Sequence, residues 1–281
     1  MAISRQQHMI MTSHGSISVE EIGEGDLPVL LIHGNSSSKG VFRYQLQSQL
    51  PEHLRLVAFD LPGHGRSSNA LDPMRTYTLS GFADAAVELV AKMNIADVIV
   101  FGWSLGGHIG IELMHHLPAM RGLMISGSPP LDRENFAQGF MGLPQVRAAA
   151  REDLNDTDID DFVEAIFGKS AEPFLRKEMA RADGRLRKVL FEHRAKDGAD
   201  QRLTAETSQI PLAVVNGGAD RIVNLDYFDG VSFANLWEGK CYRLPGLVTH
   251  LFGNLRMVST HSSNVLPVTL SPAIVVCSKH S

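Results

Sequence analysis

The chain has 281 residues, a formal net charge of −5 and 44% hydrophobic residues, enough to bury a sizeable core as one large domain or as a core with a smaller insertion. The mild acidity, with no basic stripe, argues against nucleic acid as a partner. Cys241 and Cys277 are the two cysteines, which excludes a disulfide framework and suits a reducing compartment. Residues 1–8 lack the apolar stretch of a signal peptide and no apolar run is long enough to span a bilayer, so a cytoplasmic protein without a membrane partner is expected.

In chain order, Ser16–Ile22 alternates apolar and polar residues and reads as a half-exposed antiparallel strand. Val29–Ile32 is a continuous apolar run, a strand buried on both faces, which leads into His33-Gly34-Asn35-Ser36-Ser37-Ser38. A helix is expected over Val41–Leu50, stopped by Pro51, followed by a buried strand over Leu54–Phe59 and a turn-rich loop, Asp60–Ser67. Ser80 is the expected cap of a helix reaching about Met93. The next strand starts at Val98 and runs through Gly102-Trp103-Ser104-Leu105-Gly106 into a helix ending near Leu117; Gly122–Ile125 is the following strand. This alternation predicts an α/β fold, a mainly parallel sheet with helices on both faces. Residues 132–208 break the pattern: they are charged and helical, with Phe136, Phe140, Met141, Phe162, Ile166, Phe167 and Phe174 spaced through them. They read as an inserted helical cap on a core made of residues 1–131 and 209–281. Strand signals resume at Pro211–Val215 and Lys240–Leu244.

Strand, tight turn and helix are the context in which Gly-x-Ser-x-Gly means a nucleophile turn, with Ser104 raised at the C-terminal edge of the sheet beside a helix N-terminus. A serine hydroxyl needs a base, and the base an orienting acid. The order expected for such sheets is serine, acid, histidine. Asp220, just past the Val214-Val215 run, is the first choice for the acid and Asp226 the second. Developing oxyanion charge needs donors: the backbone N–H groups of Leu105 and, in the loop after the earlier strand, Asn35. His33 and His64 read as loop-holding histidines, and His115 and His116 as solvated ones. No clustered metal-ligand spacing occurs, so no metal and no cofactor are expected.

These motifs, in this order, resemble the α/β-hydrolase superfamily over about residues 14–247. Three stretches are similar to the metal-independent N-acyl-homoserine lactonases of that superfamily: His33–Ser38, Phe101–Glu112 and Asn235-Leu-Trp-Glu-Gly-Lys240. The resemblance implies a serine hydrolase that opens the lactone ring of N-acyl-homoserine lactones, with Ser104 as nucleophile, Asp220 as the acid, and Asn35 and Trp103 in the substrate pocket. An apolar cap suits an acyl chain, which makes Phe140 and Phe162 candidate substrate contacts. The residues alone reach a serine hydrolase of a small ester-like substrate. They leave open a carboxylesterase or carbon–carbon-bond hydrolase on the same triad, or a non-catalytic binding protein.

The end of the chain departs from that resemblance. The family's histidine lies in a Gly-His-x-Pro-like segment, whereas this chain reads Pro245-Gly-Leu-Val-Thr249-His250-Leu-Phe-Gly253, with His250 one position late. Residues 239–281 contain no Asp or Glu, where ordinary usage gives about five, and they show no helical apolar period. A single base lost near codon 248 would account for both features; the alternative is a genuinely divergent tail. With one G restored, codons permitted for Leu247–Asn254 can read Leu-Gly-His-Ala-Pro-Phe-Trp-Glu. Resequencing the gene through codons 245–256 is expected to reveal the missing base; an unambiguous read without it, from an active protein, overturns the frameshift.

Overall fold

The computed structural model describes residues 5–132, 134, 136–169, 171–193 and 197–248, together with the short strands named last in this paragraph. The strands of the main sheet are β1 (Arg5–Thr12), β2 (Gly15–Ile22), β3 (Pro28–Ile32), β4 (Arg55–Phe59), β5 (Val98–Trp103), β6 (Met120–Ser126), β7 (Leu212–Gly217) and β8 (Tyr242–Leu244). The helices are α1 (Arg43–Leu46), α2 (Pro73–Thr76), α3 (Leu79–Lys92), α4 (Leu105–His116), α5 (Asp156–Phe167), α6 (Pro173–Arg181), α7 (Gly184–His193) and α8 (Gln201–Thr207). The strands β9 (Arg256–Val258), β10 (Thr269–Ser271) and β11 (Ile274–Val275) make a separate three-stranded sheet.

The main sheet has the order β1-β2-β4-β3-β5-β6-β7-β8. β1–β2 and β2–β4 pair antiparallel and every later pair is parallel. Every residue of β3, β5 and β7 is buried, as the uninterrupted apolar runs require of strands covered on both faces. The chain leaves β3 towards β4 on one side and leaves β5 towards β6 on the other. A crevice therefore opens beyond the C-terminal ends of β3 and β5, where open α/β sheets bind ligands.

Between β6 and β7 the described residues hold no sheet strand; they carry 3-10 turns at Phe136–Gly139 and Pro144–Ala150 and the helices α5–α8. This segment sits over the exits of β3 and β4. Asp183 N–H donates to the Gly63 carbonyl and Arg181 to the Ser67 carbonyl. No helix among the described residues is long and apolar enough to cross a membrane.

Several local expectations are corrected. β2 is mostly buried, because β1 covers it as an outer strand with exposed Met9 and Met11, a strand the sequence did not announce. The Val41–Leu50 helix is instead a 3-10 turn, Lys39–Phe42, followed by the single turn of α1. Pro51 opens a further 3-10 turn rather than stopping a helix, a position proline tolerates. Thr78, not Ser80, caps α3, accepting a hydrogen bond from Gly81 N–H.

A buried ion pair draws the chain after β3 onto the end of β4. Lys39 Nζ lies 2.5 Å from Asp60 Oδ2 and donates to Ser18 Oγ at 2.9 Å; Lys39 N–H donates to Asp60 Oδ1 and Arg66 N–H to Asp60 Oδ2, both at 2.8 Å. Removing one partner leaves an uncompensated buried charge. Lys39→Met is therefore expected to cost about 3–5 kcal/mol in urea unfolding, and the double variant Lys39→Met, Asp60→Leu less than either single change.

Candidate active site

Ser104 links β5 to α4 at φ 53°, ψ −119°, a backbone region that costs an L-residue roughly 1–3 kcal/mol and persists only where its surroundings enforce it. Here they do. Ser104 N–H donates to the Ser126 carbonyl at 2.8 Å, and the Ser104 carbonyl accepts from Gly107 N–H, His108 N–H and Ser128 Oγ. The helix can start so close to the strand because Gly106 has no side chain: a Cβ there would lie 2.1 Å from the Ile32 carbonyl oxygen. The N–H of Leu105, first in α4, has no acceptor within the helix and stands beside the serine with the positive end of the helix dipole.

The loop after β3 packs against this turn. A Cβ on Gly34 would lie 3.0 Å from the Trp103 ring and 3.2 Å from Ser104 Cβ. Two fully buried histidines hold the loop, as the sequence suggested. His33 Nδ1 donates to the Gly34 carbonyl (2.8 Å) and its Nε2 accepts from Leu61 N–H (3.0 Å). His64 Nδ1 donates to the Pro62 carbonyl (3.1 Å) and its Nε2 accepts from Ser36 N–H (3.1 Å). The partners assign the tautomers. Ser36 itself has φ 54°.

Asn35, Trp103, Ser104, Leu105, Phe140 and Phe162 all line one cavity of about 770 Å³, within the usual size of a small-molecule site. Its other walls are largely apolar, with Leu131, Val163, Ile166, Phe167, Leu190 and Val223 among them. Asp220 lies outside the cavity wall at the end of β7. Its Oδ1 accepts from Ile222 N–H (2.8 Å) and Val223 N–H (2.9 Å), and those two residues reach the cavity. The turn carrying Asp220 is joined to the chain leaving β8: Gly218 N–H donates to the Leu244 carbonyl and Ala219 N–H to the Leu247 carbonyl. Asp226, the second choice, is exposed and paired with Arg243. His250 and the sequence after it that carries the frameshift expectation lie outside the described residues, apart from β9–β11. His115 and His116 are exposed near the end of α4.

One polar pair of the cavity was not singled out from sequence. His108, four residues after Ser104 and so on the same face of α4, donates from Nδ1 to Gln201 Oε1 at 2.7 Å, and Gln201 Nε2 donates to the His108 carbonyl. Burial holds this imidazole below its ordinary pKa, opposed in part by the Gln201 bond. Its spacing from the serine was the available signal; its partner, 93 residues away, was not visible.

The sequence profile of the Alpha/beta hydrolase family matches residues 29–250. The chain belongs to that family. The pimeloyl-[acyl-carrier protein] methyl ester esterase of Nitrosospira multiformis is 35% identical over 128 residues, 44% of this chain and 48% of that enzyme, so the match spans about half of that relative. The corresponding esterase of Yersinia pseudotuberculosis is 31% identical over 216 residues, 72% of this chain and 78% of its own length. Among solved structures, the N-acyl homoserine lactonase AidH complexed with N-butanoyl homoserine is 44% identical, with a TM-score of 0.84 over 87% of this chain and 89% of that one. The hydrolase chain thus shares its fold and much of its sequence with a lactonase, and part of its sequence with ester hydrolases.

The buried histidines make stability depend on pH. Burial pushes His33 down to about 4, against the opposing pull of Asp60 and the Gly34 bond. Burial, with His33 next, also lowers His64. Unfolded histidine titrates near 6.5, so below that pH the unfolded chain binds more protons than the folded one. The stabilisation is therefore complete above about 6.5 and is lost as pH falls towards 4. Urea unfolding between pH 7 and about 4.5 should show stability falling by up to about 1.4 kcal/mol per pH unit for each histidine, and His64→Gln should flatten that slope.

Proposed function

We propose that this hydrolase opens the lactone ring of N-acyl-homoserine lactones, with Ser104 as nucleophile, His250 as base and Asp220 orienting the histidine. The observation that carries the reading is the strained, apolar-walled turn at Ser104, set beside Asn35 and Trp103 in a chain 44% identical to an N-acyl homoserine lactonase. The cavity would take the acyl chain along Phe140 and Phe162, with residues 132–208 acting as the cap. The hydrogen bonds between the Asp220 turn and the segment Leu244–Leu247 support a base reached from the chain just beyond it.

In this mechanism His250 takes the Ser104 proton as Oγ attacks the lactone carbonyl carbon. The N–H groups of Asn35 and Leu105 receive the oxyanion. Collapse of the tetrahedral intermediate breaks the ring C–O bond, and the imidazolium returns its proton to the departing ring oxygen. The acyl-enzyme then carries a tethered hydroxyl. A water deprotonated by His250 attacks the same carbon, and the second collapse frees Ser104 and the N-acyl-homoserine acid. If the frame is shifted near codon 248, the in-frame histidine is the residue that fills this role in the ancestral chain.

The methyl ester esterases among the relatives favour a second reading, an esterase on the same residues. Comparing kcat/KM for an N-acyl-homoserine lactone and for a simple methyl or aryl ester separates the two. Ser104→Ala is expected to lower lactone opening by at least about 10³-fold; unchanged turnover overturns the serine mechanism. Ligand binding without turnover or fluorophosphonate labelling of Ser104 identifies a binding protein instead.

A further inference from the structure

Arg187 lies in the middle of α7, 4% exposed, and its guanidinium is spent on neutral oxygens. Nε donates to the Arg151 carbonyl (2.7 Å), Nη2 to the Glu152 carbonyl (2.8 Å) and Nη1 to Ser36 Oγ (3.1 Å). Among the described residues no carboxylate stands within ion-pair distance of it; the nearby Asp183 is taken by Arg185 and Tyr77. A cation buried on carbonyls and a hydroxyl is a costly way to gain stability. The rigid fork does something an apolar side chain cannot: it joins three points of fixed geometry.

Those points lead to the reacting serine. Ser36 Oγ, held by Arg187, donates in turn to Asn35 Oδ1 at 3.0 Å. The other end of that amide, Nδ2, donates to the Ala149 carbonyl at 3.1 Å, just before the Arg151–Glu152 turn that Arg187 also grips. The Asn35 side chain is thus fixed at both ends, and the residue after it is held in a left-handed conformation between the Arg187 and His64 bonds. Leu190 and Phe191, on the next turn of α7, line the cavity, so one helix carries both a cavity wall and this clamp.

We infer that Arg187 is a positioning residue: through Ser36 it holds Asn35 so that the Asn35 backbone N–H faces the carbonyl oxygen of the substrate above Ser104. The inference rests on the proposed role of Asn35 as an oxyanion donor. It makes the reactive geometry depend on α7 being seated, so that the segment covering the cavity and the oxyanion loop act as one unit.

The test uses the full-length chain with 4-nitrophenyl butyrate as substrate and a fluorophosphonate as probe of Ser104, both independent of the lactone assignment. Arg187→Met and Ser36→Ala are each expected to lower kcat about tenfold or more with KM changed much less. The double variant should be no worse than the poorer single one, because the two side chains act through one contact. Millimolar guanidinium chloride, but not sodium chloride, should restore turnover to Arg187→Ala. Ser36→Ala removes a single oxygen and carries the test even if the arginine variants fold poorly. Unchanged kcat in Ser36→Ala, or losses that multiply in the double variant, overturn the inference while wild-type labelling leaves the serine mechanism standing. A wild-type chain that neither labels nor turns over the ester overturns both.

Discussion

The turn from β5 into α4 has to be made in one residue, and the rest of the site is built around that constraint. Gly106 lies so close to the Ile32 carbonyl that no side chain fits, and Ser104 is forced to positive φ. The strain is held by bonds to Ser126, Ser128, Gly107 and His108. α4 consequently starts at the crevice between β3 and β5 with its free N–H groups beside the hydroxyl. Relaxing the turn would withdraw the Ser104 hydroxyl and the helix dipole from the crevice together.

The loop on the other side of the crevice is held by buried polar groups. Neutral His33 and His64 each donate from Nδ1 to a carbonyl of their own loop and accept at Nε2 from an N–H of the other, which fastens it to the Asp60–Ser67 loop. Lys39 and Asp60 close its far end with an ion pair. Arg187 reaches it from α7. Directional bonds among buried groups specify positions more narrowly than apolar contacts do, because each misplaced donor or acceptor costs its desolvation. This suits the role proposed for the loop, presenting the Asn35 N–H to a substrate carbonyl oxygen.

Much of the sheet was legible because its strands are apolar throughout: β3, β4, β5 and β7 stand out as runs that only a doubly covered sheet can use. Outer elements were not. β1 carries polar and exposed apolar residues together, so no period separates it from a loop. β2 alternates as a half-exposed strand does, yet Glu20 and Ser18 are buried: Arg5 of β1 pairs with Glu20, and Lys39 donates to Ser18. Such partners come from distant segments and leave no local mark. The same reason hid Arg187 and Gln201, whose contacts to Ser36 and His108 span 151 and 93 residues.

The sequence by itself determined the Gly-x-Ser-x-Gly turn, the order of the motifs around it and the histidines that brace the facing loop, because each depends on residue type at short spacing: glycines where backbones touch, a serine between them, histidines beside tight turns. Tertiary structure decided what those motifs face. It set the Gly34-Asn35 loop against Trp103 and Ser104, brought Phe140 and Phe162 to the same cavity from a segment far along the chain, and joined the turn of Asp220 to the exit of β8. Those encounters follow from strand order and helix seating, which are properties of the whole packed chain rather than of any stretch of it.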